Sequence, residues 1–317
     1  MYIAKRVRRK IDSLARTAVH ELMSTKPLRR NVEHYYDSLR ATRDGTLDSL
    51  PETDQTIVRS LREVGVYQTR LEDLDLVGAE TMLSQARDVR RDIEARIGGD
   101  GRRADDPYLI QANKVELKDR PEIYLFGLNE RLLKIVEGYL GLPVAFGGFN
   151  FFYTLADGRE RGARVWHLDG EDESIIKIAV YLNDVDTDGG PFEVIRNRLF
   201  KGTHPYTRPA RHDRLERIIG RPISSDEIVT CTGPTGSVIF CDTARYYHRG
   251  KPATGQNRTA IFFNYYPRPP RRPYFCGKPV IGLEDLNVPE QRLSDYQRQS
   301  ALWRENLPPI AKYVLPR

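Results

Sequence analysis

The sequence predicts a mainly β fold with α decoration (α+β), a closed or double-sheet β architecture such as a jelly roll with helices buttressing one sheet. Three observations predict it. From about residue 144 onward, short β-branched or aromatic runs alternate with Gly, Pro, Asp and Asn turns. Upstream, apolar residues recur at helical spacing instead. The 317 residues, 39% of them hydrophobic, suffice for one large core, so one catalytic domain with helical additions is expected.

Residues 1–30 carry nine Lys/Arg against Asp12 and Glu21, while the whole chain carries +6, so the remainder is close to neutral. That confinement speaks against a nucleic-acid surface. Ile3, Val7, Ile11, Leu14, Ala18 and Leu22 recur at helical spacing there, predicting an amphipathic helix with a cationic face. Such a helix either docks peripherally on an anionic membrane or acidic partner, or packs on its own domain with the basic face solvated. Two acidic residues weigh against a mitochondrial presequence.

Residues 79–97 place Met82, Ala86, Val89, Ile93 and Ile97 on one helical face, and Gly98-Gly99 ends the helix. A second helix is predicted over 129–140, with Asn129 as N-cap and Gly141 as the stop. The strand-like runs are "VAFGGFNFFYTL", "RVWHLD", "IIKIAVYLNDV", "GSVIFCD" and "RTAIFFNYY". The basic, proline-rich stretch from 267 reads as extended, and 289–317 adds a last helix. The expected division is a basic N-terminal helical extension (1–54), a β domain (55–275) and a C-terminal extension packing on the core (276–317).

No apolar run is long enough to span a membrane, and the N-terminus lacks the pattern of a secretory signal. Cys231, Cys241 and Cys276 have no metal-binding spacing, which fits reduced thiols and a cytoplasmic location, with peripheral membrane contact through residues 1–30 as the one addition. "DVDTDG" (184–189) copies the start of a calcium loop, but position twelve is Ile195 and the segment reads as a turn. Phosphate-binding glycine patterns are absent.

In an extended strand, side chains two apart share a face, so His167 and Asp169 can reach one metal ion, as two legs of the facial triad that holds nonhaem iron. Of the six histidines, His20 and His34 lie in the N-terminal helical region and His204 and His212 in a basic loop, which leaves His248 as the best third ligand. Arg258 follows ten residues later, in a strand rich in Ile, Phe and Tyr. A guanidinium in apolar surroundings needs an anion, and its planar fork suits a carboxylate; a structural salt bridge is the bland reading.

Residues 55–275 resemble the phytanoyl-CoA dioxygenase-like branch of the Fe(II)/2-oxoglutarate-dependent oxygenases. The motifs are "WHLDGED" (166–172), "VYLNDVDTDGGPFEVIRNRL" (180–199) and "GPTGSVIFCDTARYYHRG" (233–250), followed by Arg258. The resemblance implies a double-stranded β-helix, with Fe(II) held by His167, Asp169 and His248 and the distal carboxylate of 2-oxoglutarate held by Arg258. It implies two cosubstrates, 2-oxoglutarate and O2, with succinate and CO2 as co-products and hydroxylation of an unactivated C–H bond. Asp169 occupies the place that a halide takes in the related halogenases. Where the family often reads Gly-Ser-His, this chain has "KGTHPY", and His204 is read as structural.

Trp166 is expected to pack in the core. Lys177 shares strand parity with Ala179 and Tyr181, and either meets 2-oxoglutarate or substrate or faces outward. Asn150 and Asn264 are candidates for amide contacts inside the barrel. Glu171, Asp172 and Glu173 rim the pocket mouth, where they favour a substrate with amine or hydroxyl groups or form a solvated acidic loop. The expected substrate is a small or lipid-linked metabolite. Two alternatives are a cupin-type jelly-roll enzyme that does not use 2-oxoglutarate, which Arg258 disfavours, and an inactive scaffold, which the intact ligand set disfavours.

Overall fold

The computed structural model describes residues 14, 16–41, 47–98, 107–199 and 209–307. Nine strands form two antiparallel sheets among them. In chain order these are β1 (Val66–Arg70), β2 (Leu109–Gln111), β3 (Val144–Thr154), β4 (Ile176–Tyr181), β5 (Phe192–Ile195), β6 (Ile228–Cys231), β7 (Ser237–Asp242), β8 (His248–Gly250) and β9 (Arg258–Pro267). The large sheet runs β1-β7-β4-β9-β3-β2 and the small one β6-β5-β8.

Alternation along the large sheet assigns its two faces. Phe149, Phe151, Ile176, Ile178, Val180, Ile261 and Phe263 pack with the helices Glu52–Val64, Ala79–Gly98, Pro121–Gly127 and Glu130–Leu140. The other parity, Ala179, Tyr181, Ile239, Cys241, Ala260 and Phe262, meets Phe192 and Val194 of the small sheet. Both faces are therefore buried, which is why these strands read as nearly continuous apolar runs rather than as an alternation. Truncating any of the fully buried Ile or Leu side chains to Ala costs about 2–5 kcal/mol.

The predicted helices form for the predicted reasons. Met82, Ala86, Val89 and Ile93 are the buried face of Ala79–Gly98. The Asn129 side chain accepts from the Arg131 amide at 3.0 Å, and Gly141 ends the second helix at φ 64°. At the C-terminal side a helix forms at Asp295–Ala301, and the Trp303 indole donates to the Phe146 carbonyl at 3.0 Å, tying this segment to the large sheet.

"RVWHLD" departs from the expected strand. It makes only two isolated antiparallel bridges, Trp166 to Ala210 and His167 to His248. The backbone turns out of register after His167, and the Asp169 amide bonds instead to the Thr243 carbonyl at 2.9 Å.

Most of the basic helix predicted near the N-terminus lies outside the described residues. Residues 16–23 are helical, with Leu14 62% and Leu22 59% exposed. The following helix, Lys26–Ala41, packs on the domain: buried Tyr36 donates to the Pro269 carbonyl at 2.6 Å beneath the Arg271 guanidinium, 4.2 Å from its ring. Helix Glu52–Val64 runs through the expected 54/55 boundary, and its buried Asp54 pairs with Arg131 at 2.8 Å. Among the described residues no helix is long and apolar enough to cross a membrane.

Candidate metal centre

His167, Asp169 and His248 converge although they come from different pieces of chain. Reciprocal backbone hydrogen bonds of 3.1 Å join His167 to His248, and the Thr243 bond fixes Asp169 beside them. The imidazole centroids are 4.3 Å apart. His167 Nε2 lies 4.0 Å from Asp169 Oδ1 and His248 Nε2 lies 3.7 Å from Oδ2. One donor atom from each residue falls within 4.8 Å of the other two, and no other group of three such side chains among the described residues comes this close.

The unused ring nitrogens are already occupied. His167 Nδ1 faces the Val165 carbonyl at 2.8 Å and His248 Nδ1 faces the Tyr246 carbonyl at 3.2 Å. Each carbonyl selects the tautomer with hydrogen on Nδ1, leaving the Nε2 lone pair directed toward Asp169. Burial, with His167 alongside, lowers the His248 pKa to about 3, so its ring is neutral and able to coordinate. Burial by itself raises the Asp169 carboxyl, but Lys177 and the two histidines outweigh it and hold the group below the usual carboxylate range. Two imidazoles and one carboxylate are a donor set suited to a divalent transition metal.

Lys177 points to the inner face. Its Nζ sits 2.6 Å from Asp169 Oδ2, so the outward-facing alternative is set aside. The cause is register: Lys177 opposes Asn264 on β9 and Cys241 on β7, and that parity looks at the small sheet. Asn264 is 7% exposed and its amide nitrogen makes only long contacts, 3.5 Å to the Gly148 carbonyl and 3.4 Å to that of Phe262. Asn150, opposite Phe262, shares the face, and its carbonyl oxygen accepts from Gln111 Nε2 at 2.9 Å. Gln111, Asn150, Asn264 and Lys177 thus form a polar line across adjacent strands from the β2 edge to Asp169.

Arg258 opens β9 and is 6% exposed. Its Nη1 donates to the Gly190 carbonyl, while Nε has no hydrogen-bond partner among the described residues. Burial lowers its pKa, with the Tyr181 phenol the largest opposing influence and no carboxylate among the leading ones. A buried guanidinium without a carboxylate partner among the described residues is the feature that an anionic ligand would complete. Two glycines make the room. Gly190 has φ 71°, and a Cβ there would meet the Lys251 carbonyl at 2.8 Å; a Cβ at Gly250 would come 3.0 Å from Arg258 Nη2.

Thr154 is the residue that sequence reasoning missed. It stands directly opposite Arg258, is 4% exposed, and its hydroxyl has no partner among the described residues. Strand parity with Asn150 and Phe152 was the one available signal.

Trp166 is fully buried against Ile195, Leu215 and Tyr247, with the Arg249 guanidinium 4.5 Å from its ring, as expected of a core residue. The 171–173 loop is not simply solvated and acidic. Asp172 is 2% exposed and accepts from the Glu173 and Arg271 amides at 2.6 and 2.9 Å, while burial pushes its carboxyl up to about 7. Glu173 pairs with Arg272 at 3.2 Å. His20 stacks 5.3 Å from Phe275 and His212 sits 3.4 Å from Glu216, both away from the centre. His204 lies outside the described residues. The 184–189 segment is a turn, its Asp186 carboxylate accepting from the Asp188 and Gly189 amides.

No protein-family description matches the chain, and neither does any curated relative. Among solved structures it is similar to AviO1 from Streptomyces viridochromogenes Tue57, at 17% identity and TM-score 0.47 over 68% of this chain and 96% of that one. It is similar to the non-heme alpha ketoglutarate dependent carbocyclase SnoK from nogalamycin biosynthesis at 16% and 0.48, over 69% and 85%. HygX from Streptomyces hygroscopicus, solved with nickel and 2-oxoglutarate bound, matches at 15% and 0.47, over 69% and 88%.

Proposed function

We propose that the protein is an Fe(II)- and 2-oxoglutarate-dependent oxygenase of the phytanoyl-CoA dioxygenase-like type, hydroxylating a C–H bond of a small or lipid-linked metabolite. In this reading the two sheets are the halves of a double-stranded β-helix. The segment around His167 joins the small sheet through His248, so successive pieces β3, 166–167, β4 and β5 alternate between the halves. One observation carries the proposal: a His, His, carboxylate cluster shares one sandwich with a buried guanidinium that no carboxylate among the described residues satisfies.

His167, Asp169 and His248 would hold Fe(II), and Arg258 the distal carboxylate of 2-oxoglutarate. The loaded iron would supply the oxidising power, using O2 to convert 2-oxoglutarate to succinate and CO2, with one oxygen atom passing into succinate and the other into the substrate C–H bond. The chain's own residues bind and orient. Val165 and Tyr246 carbonyls fix the imidazole rings, and Gly190 fixes the guanidinium. Lys177 keeps Asp169 ionised and offers a cation to the keto-acid or substrate, while Phe192 and Phe262, stacked at 6.2 Å, exclude water from the apolar side. The line of Asn150, Asn264 and Gln111 favours a substrate bearing hydroxyl or amine groups, because amides left unpaired against an alkyl chain would cost binding energy. The exposed Leu14 and Leu22 within the basic segment support a peripheral contact with an anionic membrane.

The test is an anaerobic titration of apo protein with Fe(II) and then 2-oxoglutarate, watching for the weak visible charge-transfer band of the chelated keto acid. Its appearance upholds the oxygenase reading. Iron binding without the band points to a jelly-roll metal protein that does not use 2-oxoglutarate, and absence of both points to a scaffold.

A further inference from the structure

We infer that a cavity at one end of the large sheet is a binding site for a phosphate-class oxyanion, free or carried by a larger molecule. The inference does not depend on the oxygenase reading, because no residue assigned to iron or 2-oxoglutarate lines this cavity. It lies where β4 begins and β7 and β9 end, beside the helices Lys26–Ala41, Glu52–Val64 and Glu130–Leu140. Its volume is about 310 Å3, the scale of a small-ligand site. Among the described residues its wall carries four arginines, Arg40, Arg62, Arg245 and Arg271, and one acid, Glu173.

The arginines come from separate pieces of chain, and most of their carboxylate partners stand outside the wall. Arg40 meets Asp37 at 3.1 Å across exposed surface, where such a pair contributes little. Arg271 reaches Glu33, which is not part of the wall, at 3.4 Å and Glu173 at 3.7 Å, and Glu173 is shared with Arg272 at 3.2 Å. Arg245 stands 3.4 Å from the fully buried Asp242. The Asp242 oxygens already accept from the Tyr139 and Ser174 hydroxyls at 2.8 and 3.2 Å and from the Ala244 and Arg245 amides at 3.2 Å. Arg62 has no ion pair among the described residues, and its Nη2 donates to the Gly138 carbonyl at 2.9 Å. That bond, with the one from the Gly141 amide to the Glu137 carbonyl at 2.8 Å, covers carbonyls at the end of helix Glu130–Leu140 that would otherwise repel an anion. Guanidinium groups gathered around one space repel one another, and an oxyanion placed among them replaces that repulsion with charge-assisted hydrogen bonds. A single fork matches a carboxylate, whereas guanidinium groups from several directions suit the tetrahedral oxygens of a phosphate.

The experiment is calorimetric titration of the full metal-free chain at low ionic strength with inorganic phosphate, glycerol phosphate and acetate, in wild type, Arg62→Gln, Arg40→Gln and the double variant. Wild type should bind the phosphates saturably and acetate not at all. Arg62→Gln should weaken phosphate about tenfold, as loss of one charge-assisted hydrogen bond does. The more exposed Arg40→Gln should weaken it about threefold, and this variant carries the test if Arg62→Gln fails to fold. Tighter binding of glycerol phosphate than of phosphate identifies the phosphate group of a larger molecule as the ligand, and the reverse order identifies a free anion; both uphold the site. Absence of saturable phosphate binding at millimolar concentration overturns the inference. Undiminished affinity in the variants does the same, since the anion then sits elsewhere, on the basic segment 1–30 or at Arg258. Acetate binding as tightly as phosphate overturns the assignment of ligand class.

Discussion

The Lys177 ammonium lies 2.6 Å from the Asp169 carboxylate, on the same oxygen that faces His248 Nε2 at 3.7 Å. A divalent ion entering the cluster must therefore share that carboxylate with a resident cation or move it aside. Replacing Lys177 by Met removes the repulsion. Fe(II) or Zn(II) affinity should rise about tenfold, consistent with removing one charge several ångströms away at the effective dielectric of a partly buried site. The metal-free variant should lose roughly 2–4 kcal/mol, because Asp169 is left buried beside no cation. Chelator competition reads the first effect and thermal unfolding with and without metal the second. Unchanged affinity together with unchanged apo stability would show that the pair is incidental.

Each histidine contributes a ring nitrogen that cannot be replaced from nearby. His167→Ala and His248→Ala should each lower Fe(II) affinity by more than about 100-fold, beyond the 10–100-fold loss that follows removal of a mere supporting partner. Retained tight binding in both variants, measured by the same competition, would sink the cluster as a metal site. His248→Ala should also destabilise the apo protein more. His248 is 2% exposed and its ring lies 5.4 Å from that of Phe192, so truncation leaves a cavity.

Much of this centre was legible because the information was local. His167 and Asp169 are two apart, Arg258 is ten residues past His248, and only six histidines competed for the third position. Legibility ended where register decides. The orientation of Lys177 could not be read from parity, since one face of β4 is buried by helices and the other by the small sheet, giving no hydrophobic contrast. Thr154 acquires its meaning only from the β3 to β9 pairing, a contact between distant parts of the chain. β2, β5, β6 and β8 are three or four residues long, too short for any period to emerge. The 166–169 segment reads as strand from its composition, yet its chemistry depends on leaving the strand: the bond from the Asp169 amide to Thr243 bends the chain toward the cluster.

Arg258→Met should separate stability from binding. Metal-free wild type carries a 6%-exposed guanidinium whose Nε has no partner among the described residues, so the shorter, unbranched apolar side chain should raise apo stability by about 1–3 kcal/mol. The same change should weaken 2-oxoglutarate about 10–100-fold by removing a charge-assisted contact, with iron affinity unaltered. A loss of apo stability would instead mean that the Gly190 carbonyl bond outweighs the desolvation of the guanidinium.

The three thiols give a pH prediction independent of any metal. Burial pushes Cys231 up to about 12 and raises Cys241 and Cys276 well above the ordinary thiol value, and all three are at most 1% exposed. The native protein should therefore show no thiol reacting with a chromogenic disulfide at pH 8, and all three should react after denaturation. The sign of the linkage follows from the same shifts. A folded-state pKa above the unfolded value of 9.0 means that the unfolded chain releases these protons first, so the thiol contribution is intact below pH 9 and is lost as pH rises toward the folded values. Urea unfolding at pH 8, 9 and 10 should show stability falling across that interval, and a Cys231→Ala, Cys241→Ala, Cys276→Ala triple variant should show a shallower fall. A native thiol that reacts promptly at pH 8 would contradict the burial on which both expectations stand.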